Sequence, residues 1–331
     1  MRHLLRFLLF SIAAALIGWD AARIADRVRS WEFHPDLRPV RTIAPKDSHC
    51  VRFLCTGDVR SHVAMYGPIA AEARRLGVDF VLLVGDAVPS AKERAFRRVF
   101  EELHRAGPSP PWFFLTGNHD VDDGGAAFVR AFGVPVFTIE AGALRLLCLD
   151  NGARQLSQES WELVRHAGPG RGGCTIVACH IPLGEEEGAR ITAVAPVAAF
   201  LWGHEHRGYR ELSLAGQPAW EVPGGGAHIG PEKCPFAALV EYSSQGGALS
   251  VRKVALSDCR SPRGQAFWLG VAYTAPLGLP LCLGVLALAA AARPTMAARA
   301  MRRLWRWGKR LGRAVAASVS RRRRACRHQG Q

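Results

Sequence analysis

The sequence predicts an α/β fold built on parallel strands, and three observations carry that prediction. Between about residues 48 and 258, short apolar runs alternate with helical stretches and Gly/Pro loops, the rhythm of strand–helix–strand crossovers. Six runs read as buried strands: Val51–Cys55, Phe80–Val84, Trp112–Leu115, Leu144–Leu149, Thr175–Cys179 and Val197–Leu201. Five of the six end directly on Asp, Asn or His.

The elements justify themselves in order. Val51–Cys55 leads to Gly57-Asp58, and a helical stretch follows over Ala64–Leu76. Phe80–Val84 leads to Gly85-Asp86. Beyond it, Ser90 and Glu93 have capping-box spacing, and Phe96, Val99, Phe100 and Leu103 recur at helical intervals. Trp112–Leu115 closes a second crossover, so these three strands are expected to be parallel. It leads to Gly117-Asn118-His119-Asp120. Thr175–Cys179 then delivers His180, and Val197–Leu201 delivers Gly203-His204-Glu205-His206. The carboxyl ends of parallel strands share one edge, so five strands bring Asp, Asp, Asn/His, His and His/His to one place. Each glycine before a ligand sits where a sharp exit or close packing leaves no room for a side chain.

Oxygen and imidazole donors without cysteine suit Mn, Fe or Zn in a catalytic rather than a structural site. Asp58, Asp86, Asn118, His180, His204 and His206 are too many for one tetrahedral ion and natural for two divalent ions sharing a carboxylate. Such a pair acidifies water and clamps the oxygens of a transferring phosphoryl group. His119, beside a ligand, is placed to protonate the leaving oxygen, with Asp120 expected to orient and charge its imidazole.

Gly57-Asp58, Gly85-Asp86, Gly117-Asn118-His119-Asp120, His180 and Gly203-His204-Glu205-His206 together resemble the ordered motifs of the calcineurin-like metallophosphoesterases, over Cys50 to Asp258. The resemblance implies a four-layer sandwich of two mixed sheets flanked by helices, and hydrolysis of a phosphate ester. It implies that Asp58, Asp86 and His206 hold one metal, that Asp86, Asn118, His180 and His204 hold the other, and that His119 is the general acid. Gly224-Gly225-Gly226 resembles a glycine-rich loop of the family. One position departs from the pattern. The family's first motif is Asp-x-His, and here it is Asp58-Val59-Arg60. A guanidinium has no lone pair to give a cation. Arg60 is therefore read as binding substrate phosphate, against a plain surface arginine, and His62 is the alternative ligand.

The two ends of the chain carry a different signal. The net charge of +15 would suggest nucleic acid if it were spread evenly, but thirteen basic and no acidic residues lie in 293–331, and the rest is close to neutral. A nucleic-acid partner is not expected. Residues 266–292 hold no charged side chain, which is long enough for a transmembrane helix. Phe7–Trp19 after Arg2 and Arg6 reads as an N-terminal anchor or signal-anchor. The expected order is thus anchor 1–22, linker 23–47, catalytic domain 48–258, membrane helix 266–292 and tail 293–331. Eight basic residues in Arg293–Arg313 against four before the span put the tail in the cytoplasm and the domain outside, periplasmic or extracytoplasmic. Met301, Leu304, Trp305, Leu311, Val315 and Val319 share one side of a helix whose other side is basic, a surface for anionic membrane lipids. Cys55, Cys148 and Cys179 read as core, while Cys50 and Cys259 could close the domain with a disulfide. A binding module that keeps the fold but has lost one metal to Arg60 is the rival to an enzyme.

Overall fold

Strands whose residues are apolar on both faces need cover on both sides, and the computed structural model of the chain provides it. The structure describes residues 35–122, 124–168, 173–226 and 235–256. Twelve strands and five α-helices are ordered β1 (Val40–Ile43), β2 (Cys50–Thr56), α1 (Tyr66–Leu76), β3 (Phe80–Leu83), α2 (Glu93–Ala106), β4 (Trp112–Phe114), α3 (Ala126–Phe132), β5 (Phe137–Ala141), β6 (Leu144–Cys148), α4 (Gln158–His166), β7 (Cys174–Ala178), α5 (Glu185–Val194), β8 (Ala199–Trp202), β9 (Arg210–Leu214), β10 (Gln217–Glu221), β11 (Phe236–Ser243) and β12 (Ala248–Ala255).

They form two mixed sheets, β1-β5-β6-β7-β8-β10-β9 and β12-β11-β2-β3-β4. The expected crossovers hold: β2, β3 and β4 pair in parallel, as do β6, β7 and β8. Alternation within a strand separates the layers. In β2 and β3, Phe53, Cys55, Phe80 and Leu82 turn inward to meet Phe137, Ile139, Leu146 and Ile176 of the other sheet. Leu54, Val81 and Leu83 turn outward against Ile69, Ala73, Phe96, Val99 and Phe128 of α1, α2 and α3. The seven-stranded sheet is covered in the same way, with Leu147, Val177 and Phe200 packed on Val164 and Ile191 of α4 and α5. The architecture is the four-layer α/β/β/α sandwich that the motifs implied.

Three expectations change. Residues 40–43, expected in a linker, form β1 and pair in parallel with β5, so the sandwich begins before residue 48. Ser90 does not cap α2: the helix starts at Glu93 with Lys92 at its N-cap, and no side chain bonds there. Glu93 is then the first helical residue rather than the third, two positions too early for a box with Ser90. β5 and β9–β12 were not foreseen; of these, Arg210–Leu214 and Ala248–Ala255 alternate polar with apolar residues as half-exposed antiparallel strands. Cys55, Cys148 and Cys179 are buried as expected. Among the described residues no helix is long and apolar enough to cross a membrane. The expected N-terminal anchor, the 266–292 run, the basic tail and Cys259 lie outside the described residues.

Candidate metal centre

The polar residues predicted to meet do so at the carboxyl ends of β2, β3, β4, β7 and β8, where the chain leaves each strand through a tight backbone. Five of the seven described non-glycine residues with positive φ belong to this cluster: Asp58 (59°), Arg60 (48°), Asp86 (55°), His204 (73°) and His206 (52°). Side chains rarely tolerate that region, and its concentration at one place marks a site that the surrounding structure holds in a strained form. The loops are cross-tied, Asp58 N–H donating to the Gly85 carbonyl at 3.0 Å and Arg60 N–H to the Asp86 carbonyl at 3.0 Å. The glycines are required for contact. A Cβ on Gly85, at φ 85°, would collide with the His180 ring, one on Gly117 with the Asp86 backbone and carboxylate, and one on Gly203 would lie 2.6 Å from Asp58 Oδ2.

His180 is the pivot. It is fully buried, and its Nδ1 lies 2.8 Å from the Val84 carbonyl. A carbonyl only accepts, so Nδ1 carries the proton and Nε2 presents a lone pair. That lone pair faces Asn118 Oδ1 at 3.2 Å, His204 Nδ1 at 3.3 Å and Asp86 Oδ1 at 3.4 Å. Burial holds the His180 imidazole down at about pKa 4, so it is neutral near pH 7, and burial also pushes His204 down. Donors bound to one cation at roughly 2.0–2.2 Å stand about 3.0–3.5 Å apart, and His180 Nε2 has that spacing from each of the other three. They are the four expected for the second metal. Asp58, Asp86 and His180 also form the one group among the described residues whose acidic and imidazole ligand atoms all lie within 4.8 Å of one another.

The first position is built differently. Asp58 Oδ2 accepts the His204 backbone N–H at 2.9 Å, and its Oδ1 lies 3.2 Å from His206 Nε2. Asp58 is fully buried, and burial, reinforced by the Asp86 charge, raises its carboxyl well above the usual range. A carboxylate so placed is stabilised by a cation beside it. Arg60 provides one nearby. Its Nε and Nη2 contact Asp86 Oδ2 at 2.8 and 2.6 Å, and its side chain is 18% exposed. The arginine expected to face phosphate is thus engaged with the Asp86 carboxylate. Burial opposes ionisation of Asp86, but the charge that His180 gains in acid, the His119 backbone N–H and Arg60 together hold it below the usual range. His62 packs towards Gly226 and is not in the metal-competent group.

His119 and Asp120 separate. His119 N–H donates to Asp86 Oδ1 at 3.0 Å, and its Nδ1 lies 3.1 Å from the Pro89 carbonyl, which leaves Nε2 to exchange a proton. Asp120 does not orient that ring. Its carboxylate is turned into the protein and accepts backbone N–H groups from Gly117 (2.9 Å), Ala87 (3.2 Å) and Val88 (3.1 Å). Burial raises it to about pKa 8, with the Asp86 charge adding and the three amides opposing. Asp120 therefore ties the loop after β3 to the loop after β4, and Pro89 does the orienting assigned to it. The reason is directional: in a turn, adjacent side chains point to opposite sides.

Two residues escaped sequence reading. Asn151 Oδ1 accepts the backbone N–H groups of His180 and Ile181 at 3.1 and 3.0 Å, while its Nδ2 donates to the Ile181 carbonyl at 2.6 Å, fixing the loop that carries His180. Its signal was present, since Asp150-Asn151-Gly152 follows β6 as Gly-Asp follows other strands. Arg154, at φ 69°, is close enough to His204 for its charge to add to the downward push of burial on that imidazole. Gly225 donates its N–H to the Gly57 carbonyl at 2.7 Å, so the glycine-rich loop braces the first motif.

Residues 51–208 match the family profile of the calcineurin-like phosphoesterases. No curated protein matches the sequence. Among solved structures, a dimetal phosphatase from Danio rerio is similar, at 14% identity over 62% of this chain and 99% of that one, with a TM-score of 0.40. The Thermus thermophilus protein TT1561 is 15% identical over 61% and 98%, with a TM-score of 0.41. Chaetomium thermophilum Vps29 is 14% identical over 62% and 97%, with a TM-score of 0.32.

Proposed function

We propose that the chain, carrying a calcineurin-like phosphoesterase domain, is a membrane-anchored hydrolase of a phosphate ester. The observation that carries this reading is the convergence of lone pairs on His180 Nε2, whose own proton-bearing nitrogen is committed to the Val84 carbonyl. Asn118, His204 and Asp86 each bring a possible ligand atom within 3.4 Å of that Nε2, the grouping a divalent cation would need. A divalent ion there would supply Lewis-acid neutralisation of phosphoryl oxygens and acidification of water. Asp86, Asn118, His180 and His204 would hold it, and Mn, Fe and Zn suit this donor set. Asp58 and His206 extend the centre on the other side of Asp86. His119 gives the leaving oxygen its proton from Nε2, its ring held by Pro89. The buried Val84, Asn151 and Asp120 contacts keep the ligand loops in place before substrate arrives, so no reorganisation is needed in the reaction. The test is a phosphatase and phosphodiesterase panel on the full chain with Mn, Fe, Zn and Mg separately. Turnover in any of them supports the reading. Metal uptake without turnover of any ester class supports a binding module instead, the reading favoured by the Arg60 contact on Asp86.

The membrane part of the proposal rests on the uncharged run 266–292, the basic residues after it and the N-terminal apolar stretch. It places the hydrolase outside the cytoplasm, on esters near the lipid surface, and the tail inside against anionic lipid. Cys326 should react with a membrane-impermeant thiol reagent only after cells are permeabilised. Labelling of Cys326 in intact cells would overturn this topology.

A further inference from the structure

We propose that this centre takes one divalent ion and that the Arg60 guanidinium stands as its second cation. The inference deepens the metallohydrolase reading and rests on it. Asp86 divides its two oxygens. Oδ1 faces His180 Nε2 in the four-donor position, and Oδ2 is taken by Arg60 Nε and Nη2 at 2.8 and 2.6 Å. The carboxylate expected to join two ions therefore joins an ion position to a guanidinium.

The contact is built into the backbone rather than made by a surface side chain folding over. Arg60 is in the left-handed region, its N–H donates to the Asp86 carbonyl at 3.0 Å, and its side chain is largely enclosed. Main chain and side chain of Arg60 thus both grip Asp86. What remains on that side of Asp86 is Asp58 Oδ1 and His206 Nε2, 3.2 Å apart with no hydrogen bond between them. The two positions are unequal, since Asn118, His204 and Asp86 all lie within 3.4 Å of His180 Nε2, whereas the other position lacks the imidazole that Arg60 replaces.

Charge points the same way. A guanidinium and two divalent ions would crowd against two carboxylates, Asp58 and Asp86, in a buried setting where repulsion is weakly screened. One ion with Arg60 keeps a doubly cationic centre without that repulsion. Arg suits the post because its planar fork of N–H donors matches carboxylate and phosphoryl oxygens. Asp86 uses Nε and Nη2, so N–H groups remain on the guanidinium to meet a phosphoryl oxygen, the service a second ion would give.

The test counts ions on the full chain after chelation and titration with Mn²⁺, reading stoichiometry by mass spectrometry and ion–ion coupling by electron paramagnetic resonance. The wild type should bind one ion per chain and give an uncoupled six-line spectrum. Arg60→His should bind a second ion on the order of tenfold or more tighter than wild type, and the spectrum should acquire exchange coupling. Arg60→Ala should admit the second ion more weakly than Arg60→His, and retention of the first ion shows that either variant is folded. Two coupled ions in the wild type would overturn the proposal while leaving a metallohydrolase intact. One ion in all three proteins would overturn it too, since Arg60 would not be what keeps the second ion out. No ion in the wild type would defeat the metallohydrolase reading itself.

Discussion

Replacing Asp120 separates a structural clamp from a catalytic dyad. Its two oxygens accept three backbone N–H groups, from Gly117, Ala87 and Val88, and the residue is fully buried. Asp120→Ala leaves all three donors without a partner. An orphaned buried amide costs about 1–3 kcal/mol, so the ceiling is about 9 kcal/mol. Loop relaxation and water entering the space left by the carboxylate reduce this, and we expect a loss of about 3–5 kcal/mol. That is a large part of the roughly 5–15 kcal/mol by which a domain is stable. Asp120→Asn keeps one carbonyl oxygen, which can serve Gly117 and Ala87, and turns its amide nitrogen on Val88 N–H. It should cost about 1–3 kcal/mol. Urea unfolding of the full chain, followed by tryptophan fluorescence, measures both variants, and an unchanged slope with a lower midpoint identifies a loss of stability. Asp120→Ala unfolding within about 0.5 kcal/mol of wild type, with a displaced pH–rate profile, would refute the clamp and return Asp120 to a role on His119.

Other outcomes follow from the same geometry. His119→Ala should keep bound metal and lose on the order of 10²–10⁴-fold in rate, with a smaller loss for aryl esters of acidic phenols; equal losses for aryl and alkyl esters would exclude a general acid. Asp86→Asn should lower metal occupancy and activity together, as measured by elemental analysis beside turnover, because both Asp86 oxygens are engaged at the centre. Gly85→Ala should displace the His180 ring and weaken metal binding even if the chain folds, which a Mn²⁺ titration reads directly. Burial depresses His180 to about pKa 4, below its value of roughly 6.5 in an unfolded chain. Its contribution to stability is therefore present above pH 6.5 and lost as pH falls through 4, about 3 kcal/mol in all for the metal-stripped protein. His180→Asn should flatten that slope in urea midpoints taken from pH 4 to 6.5.

How legible each residue was depended on the range of the forces that place it. Asp58, Asp86, Asn118, His180, His204 and His206 could be named because a parallel strand always delivers its next residues to the same edge. The apolar runs of β2, β3, β4, β6, β7 and β8 were legible for a related reason, since burial on both faces leaves nothing but hydrophobic residues. The edge strands β1, β9 and β12 were not, because a strand exposed on one face or at an edge shares its composition with loops, while β11 is buried and apolar but leads to no ligand.

Local pattern by itself determined the α/β class, the strand order of the ligands, the need for glycine before them and the departure at Arg60. Each is a matter of period, spacing or side-chain chemistry, and none requires knowing what lies across the fold. Only the tertiary structure decided where neighbouring side chains point. It turned Asp120 onto three amides 32 to 33 and three residues away in sequence, set Pro89 beneath His119, and brought Arg60 onto Asp86 across 26 residues. Hydrogen-bond direction and charge pairing act over about 3 Å, and which groups come that close is fixed by left-handed turns at Asp58, Arg60 and Asp86 that the identity of the residues does not announce.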